Sequence, residues 1–303
     1  MGYLARRLLA ALLLVFAVSS GALLLAQMAP GDFVAGFGKT PEQIAVERHR
    51  LGLDRPFREQ YASWLKRSLT LDLGESYQYE QPVTTVLRQR AGNTAQLAAL
   101  ALIVATALGL PAGIVTGSRA GWLSRAIAAA SLALLSVPPL IGSLVLITIA
   151  ARTGWLPVSG MGTPAHFIVP TLAIALPVAA MLERLQSESI RTALARPSSA
   201  AARARGIPEA RVVWRHAWRQ SLAPVLAIYG VVVGTLFSGS FAVEIVTSWP
   251  GLGDLMRQAL MSRDTNLVAG CAATGAAFLA AGILAADVAH ALNDPRADLE
   301  PSS

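Results

Sequence analysis

The 303 residues are 54% hydrophobic and only 14% charged, with a mean hydropathy of +0.51. Soluble globular chains carry roughly 25% charged residues, so this one lacks the polar surface to cover a water-soluble globule of its size. The net charge of +7 is spread between long apolar runs instead of forming the dense basic face of a nucleic-acid binder. The lipid bilayer is the expected partner, and nucleic acid is not. A single cysteine, Cys271, excludes an intrachain disulfide, and His49, His166, His216 and His290 show no ligand spacing. No metal site and no cofactor is expected.

A span needs about 20 apolar residues. Leu8–Ala29, headed by Arg6 and Arg7, meets this. Its apolar run extends past the small residues Ser20-Gly21-Ala22, further than the short core of a cleaved signal peptide, so an uncleaved first helix is expected. Residues 30–92 change character: within 30–90, nine Lys/Arg are balanced by eight acids. This is expected to be a small external insertion with helices over Pro41–Leu51 and Phe57–Ser68. Asn93 or Thr94 can cap a second span over Ala95–Thr116. Spans over Ala126–Ala150, Phe167–Leu182, Leu222–Val246 and Leu267–Leu292 follow, making six, with 293–303 as a tail.

Short loops rich in Lys and Arg stay in the cytoplasm. The tract from Arg184 to Gln220 holds eight arginines against Glu188 and Glu209. That places both termini and the 184–220 loop inside and the insertion outside, with residues 93–292 as a five-helix core that contains the 184–220 loop.

The arginine tract carries most of the information. Ser198/Ser199, then Ala200-Ala201-Ala202-Arg203-Ala204-Arg205 and Gly206, predict a short capped helix closed at glycine. Pro208 and Glu209 suit the first turn of a second helix, on which Arg211, Arg215 and Arg219 share a face at i, i+4, i+8. Such an amphipathic helix is suited to the membrane surface, while the small, alanine-faced helix before it has the shape to dock into a groove. The bland alternative is a positive loop that only sets topology. Gly109, Gly113 and Gly117 predict close helix packing, and Pro111, Pro138-Pro139, Pro170 and Pro177 can kink spans. Glu183, Glu244 and Asp287 lie near predicted span ends, where interfacial anchoring is expected over a proton relay. Gly38-Lys39-Thr40 looks like the end of a phosphate-binding loop, but its first glycine is replaced by Phe33. No catalytic constellation appears, so the chain is not expected to be an enzyme.

The segment Glu244-Ile245-Val246-Thr247-Ser248-Trp249-Pro250-Gly251-Leu252-Gly253 resembles the "E-x-x-F-S-W-P-G-L-G" motif of permease subunits of dipeptide, oligopeptide and nickel ABC importers. So do Ala202-Arg203-Ala204-Arg205-Gly206, Arg215-His216-Ala217 and Leu222-Ala223-Pro224-Val225-Leu226. Pro30-Gly31-Asp32, Leu51-Gly52-Leu53-Asp54, Asp72-Leu73-Gly74, Leu156-Pro157-Val158-Ser159-Gly160 and Asp294-Pro295-Arg296 match in the same order along nearly the whole chain.

The resemblance implies an all-α membrane protein with the six-helix type I ABC importer permease fold, in a bacterial inner membrane. It implies a second permease subunit, two cytoplasmic ATPase domains and an external solute-binding protein as partners. It also assigns ATPase coupling to Ala200, Ala201, Ala202, Arg203, Ala204, Arg205, Gly206, Ile207 and Pro208. Glu244, Ser248, Trp249, Pro250, Gly251, Leu252 and Gly253 are expected to face the binding protein or a gate. The sequence departs from the family at Pro197, Ser198, Ala200 and Ala201, where an Asp-Tyr and an Arg-Thr pair are usual. Arg205 stands for a Lys, and Asn266 for a Pro. A secondary transporter would instead want midplane ionisable groups and symmetric repeats, and a membrane-anchored sensor a cytoplasmic signalling domain. Peptides, nickel or a related small solute remain open as cargo.

Overall fold

The computed structural model describes residues 2–29, 31, 33–34 and 40–293. Asp32, the Gly38-Lys39 pair and the Asp294-Pro295-Arg296 motif lie outside the described residues. The architecture is helical, with one two-stranded antiparallel ribbon among the described residues. Among the described residues, five helices are long and apolar enough to cross a membrane, and a sixth span is made if one bent pair is counted. Their outer faces carry Leu8, Leu12, Leu25, Leu132, Leu144 and Ile149, each about half exposed or more. Apolar surface on this scale suits hydrocarbon and not water. The chain is a multi-pass membrane protein.

The chain forms two compact units, residues 1–94 with 250–280, and 95–249 with 281–303. The first unit begins with α1 (Gly2–Met28), followed by α2 (Pro41–Leu51) and α3 (Phe57–Ser68). The bounds of α2 and α3 are those expected from the sequence. Thr40 and Gln43 explain the start of α2. The Gln43 amide donates to Thr40 Oγ1 at 3.4 Å, and the Thr40 amide donates to Gln43 Oε1 at 3.1 Å, a reciprocal cap. Gly52, left-handed at φ 68°, closes the other end.

This segment is not free-standing. Trp64 of α3 packs with Leu23 of α1 and with Ala269, and Tyr61 shares a 2.7 Å hydrogen bond with Ser20. The ribbon pairs β1 (Glu75–Ser76) with β2 (Gln81–Pro82) and leads into α4 (Val83–Ser118). The unit is completed by α11 (Leu252–Ser262) and the first half of α12 (Thr265–Asn293).

Asp264 ties this unit together. It caps α12 by accepting from the Leu267 amide at 3.0 Å. It also accepts from the Ser76 hydroxyl at 2.6 Å and from the Gln78 amide at 3.1 Å. Burial pushes its carboxyl up, and these donors pull it back down.

In the second unit α4 continues from residue 95, followed by α5 (Trp122–Leu135), α6 (Pro139–Thr153) and α7 (Ile168–Ala195). Then come α8 (Pro197–Ala204), α9 (Glu209–Val212) and α10 (Trp218–Thr247). Leu97, Ala101 and Ala105 of α4, Ile174, Val178 and Leu182 of α7, and Val225, Val232 and Leu236 of α10 form its core.

The structure departs from three expectations. The second span does not begin at a cap at Asn93 or Thr94, because α4 starts at Val83. Asn93 Nδ2 instead donates to the Pro250 carbonyl at 2.8 Å, and Thr94 Oγ1 accepts from the Leu252 amide at 2.8 Å. The span expected over 126–150 is not one straight helix but a pair, Trp122–Leu135 and Pro139–Thr153, bent by 105°, which supplies the sixth span if counted as one. Pro138 ends α5 by excluding its predecessor from helical geometry, and Pro139 restarts the chain at the first position of α6. Glu183, expected near a span end, sits sixteen residues into α7 at 2% exposure.

Candidate functional site

The loop expected over 184–220 is shorter: Arg184 and Arg191 belong to α7, helix resumes at Glu209, and the stretch from Arg196 to Pro208 forms a braced loop after the end of α7. Arg196, in extended geometry, separates α7 from α8 by a single residue. The expected serine cap is absent. Pro197 occupies the first helical position, and the Ser199 hydroxyl instead donates back to the Ala193 carbonyl at 2.8 Å. The C-terminal closure is as the glycine suggests. Gly206 is left-handed at φ 77°, its amide donates to Arg203 O at 2.9 Å, and the Ile207 amide donates to Ala202 O at 3.2 Å. This pair of bonds is the Schellman arrangement, which satisfies two orphan carbonyls at the helix end.

Arg203 braces the turn from the other side. Its Nε and Nη2 donate to the two Glu209 carboxylate oxygens at 2.9 and 2.8 Å, and its Nη1 donates to Leu194 O at 3.2 Å. The paired carboxylate holds the already high Arg203 pKa higher still. The fork geometry fixes orientation as well as charge, so α8 is tied at once to the end of α7 and to the start of α9.

Ala200, Ala201, Arg203, Ala204, Arg205, Gly206 and Pro208 are exposed and Ile207 is half-buried. Ala202 is 5% exposed and faces inward. Of the alanines expected to meet a partner, Ala200, Ala201 and Ala204 are exposed, and Ala202 is buried.

The second helix also differs from expectation. It is not a separate surface helix: α9 passes through a π-helical turn, Val213–Ala217, straight into α10. Val212, Val213 and Ala217 are buried in this stretch, while Arg211, Arg215 and Arg219 are all exposed. The widened turn absorbs one extra residue, and nothing in a 3.6-residue periodicity signals it.

The other candidate motif is mostly interior. Glu244, Trp249, Gly251, Leu252 and Gly253 are buried, Pro250 is half-buried, and Ser248 alone of the seven is exposed. Ser248 ends α10 in a left-handed turn at φ 51°, from which the Trp249 amide donates back to Glu244 O at 2.9 Å. Trp249 meets Phe167 edge-on at 4.5 Å between centroids. In the first unit, the Asn93 and Thr94 bonds described above hold Pro250 and Leu252.

Comparison with known proteins agrees with this architecture. The family model for the binding-protein-dependent transport system inner membrane component matches residues 109–299, and its N-terminal companion matches 1–98. A transglutaminase-like model also matches residues 56–157. That stretch contains neither cysteine nor histidine, so it offers no thiol nucleophile or imidazole base.

The dipeptide transport system permease protein DppB of Lactococcus lactis is 33% identical over 98% of this chain and 99% of its own length. A putative peptide permease of Brucella suis is 31% identical over 97% and 98%. The glutathione transport system permease protein GsiC of Escherichia coli is 32% identical over 88% and 89%. With two family models in register along the chain and relatives matched over nearly their full length, this chain belongs to the inner membrane permease components of binding-protein-dependent ABC importers.

Proposed function

We propose that the chain is one permease subunit of an ATP-driven importer that moves short peptides or peptide-like solutes inward. Its loop from Ala200 to Pro208 is the surface that meets a cytoplasmic ATPase. The observation that carries this reading is the braced, exposed turn at Gly206, a short helix fastened to α7 by Ser199 and Arg203. A loop that only set topology would need charge but no such bracing. The named relatives favour a peptide over nickel as cargo.

Both termini and the loop from Arg196 to Pro208, within the arginine tract, lie in the cytoplasm of a bacterial cell, and 30–92 lies outside, where Ser248 is the motif residue available to a binding protein. The inward-facing members of that motif, Trp249 and Leu252 among them, hold the turn in shape. A second permease and two ATPase subunits complete the complex, with the chain itself neither binding nor hydrolysing ATP.

Purification from the native membrane tests this. A second permease and two ATPases should copurify, and uptake of a radiolabelled dipeptide into proteoliposomes should need ATP. Uptake by the isolated chain without ATP would contradict it.

A further inference from the structure

Three glycines of α4, Gly109, Gly113 and Gly117, lie against α7 with no room to spare. A Cβ added at Gly109, Gly113 or Gly117 would come within 2.5, 2.6 and 2.5 Å of the carbonyls of Ala179, Glu183 and Ser187. Backbones this close pack well, and the Cβ atoms of Leu182, Gln186 and Ile190 line the same seam. Slipping α4 by a turn so that Ala105 took the place of Gly109 would press its Cβ on the Ala179 carbonyl. Packing therefore opposes a slip in that direction and leaves the other less opposed.

One polar contact within the seam has a single register. The Thr116 hydroxyl donates to Glu183 Oε1 at 2.5 Å, and both residues are buried, at 4% and 2% exposure. Arg191 Nη2 adds a 3.4 Å bond to the Thr116 carbonyl. Glu183 Oε2 has no hydrogen-bond partner, and neither does Oε1 of Gln186 one turn on. A carboxyl inside a span is expensive, and a half-satisfied one more so. Replacing such a group together with its partner by apolar residues is often neutral or stabilising, and fixing register is the best-attested use of a buried polar group that is kept.

The position of this contact gives it a use. From Glu183, α7 runs without a break to Ala195, and after Arg196 the chain enters the braced loop. The continuous stretch of α7 thus links the loop directly to the Thr116–Glu183 contact.

Resting on the coupling role given above to the loop, we propose that Glu183 is a positioning residue. Its bond to Thr116 locks α7 to α4, so that movement at the ATPase-facing loop becomes movement of the spans.

The test uses the complete complex in proteoliposomes, with ATP hydrolysis and uptake of radiolabelled dialanine, trialanine and glutathione measured together. The readout is solute moved per ATP hydrolysed, a ratio that a smaller quantity of folded complex does not change. Glu183→Leu and Thr116→Val should each still hydrolyse ATP but lower the ratio about tenfold. Glu183→Gln and Thr116→Ser, which keep an acceptor and a donor, should stay within about twofold of wild type. The double variant Thr116→Val/Glu183→Leu should be no worse than either single change, because both remove the same bond. Wild-type ratios in both single variants would overturn the proposal, as would a double variant whose loss is the product of the two. If the wild-type complex itself fails to couple uptake to ATP, the parent reading of the loop falls and takes this one with it.

Discussion

Gly206 has a left-handed backbone, and a Cβ built on it meets nothing within 4 Å. Any substitution there acts through backbone strain and not through a clash. Gly206→Val should strain the turn by about 1–3 kcal/mol and misalign α9 relative to α8. The complex should still assemble, with hydrolysis no longer stimulated by the loaded binding protein; unchanged stimulation would show that the turn geometry is not used. Ala201 and Ala202 are neighbours with opposite environments, one exposed and one buried. Ala201→Trp should fold normally and lose ATPase copurification, whereas Ala202→Trp should overpack the loop and cost stability, about 1–3 kcal/mol, before any partner is involved. If both give the same thermal unfolding profile and the same copurification, the facing described here is incorrect.

At the scale of elements, Asp264 joins the ribbon to the start of α12. Asp264→Ala strands the Ser76 hydroxyl and the amides of Gln78 and Leu267, each loss worth about 1–3 kcal/mol where the group stays buried. A lowered Tm in detergent is the expected result. Because burial raises this carboxyl's pKa in the fold, its contribution is full below the ordinary value of 3.8 and declines as pH rises through the folded value. Relative to Asp264→Asn, the wild-type chain should therefore gain stability on mild acidification; a relative loss would mean that the donors outweigh burial.

The short helix α2 was legible because Thr40, Pro41, Gln43 and Gly52 are local signals with local consequences, and Pro56 marks the start of α3 in the same way. The bend between α5 and α6 was only half legible. Pro138-Pro139 announces a kink, but both halves are apolar and hydropathy joins them into one span. The polar start of α4, with Arg88 and Arg90, hid twelve residues of helix from a hydropathy window. The inward facing of Ala202 and the π turn at Val213–Ala217 depend on tertiary packing, which no periodicity reports.

Across the whole molecule, the family-wide match gives the permease role, and orientation is the next physical claim to check. Arg58 of α3 and Ala204 of α8 are both exposed. Arg58 suits labelling better than its neighbour Gln60, which bonds Gln27 and the Arg55 carbonyl. With Cys271→Ala removing the native thiol, Arg58→Cys should react with an impermeant maleimide from outside intact cells, and Ala204→Cys only after the cells are opened. Labelling of both from outside would reverse the orientation.

The central claim is that the exposed alanine face of α8 meets the motor. With Cys271→Ala as background, Ala201→Cys carrying a photoactivatable cross-linker measures this directly in native membranes. The cross-link should form to an ATPase subunit, and its yield should change between nucleotide-free and ATP-bound states. A cross-link only to lipid or to the second permease, unaltered by ATP, would contradict the account.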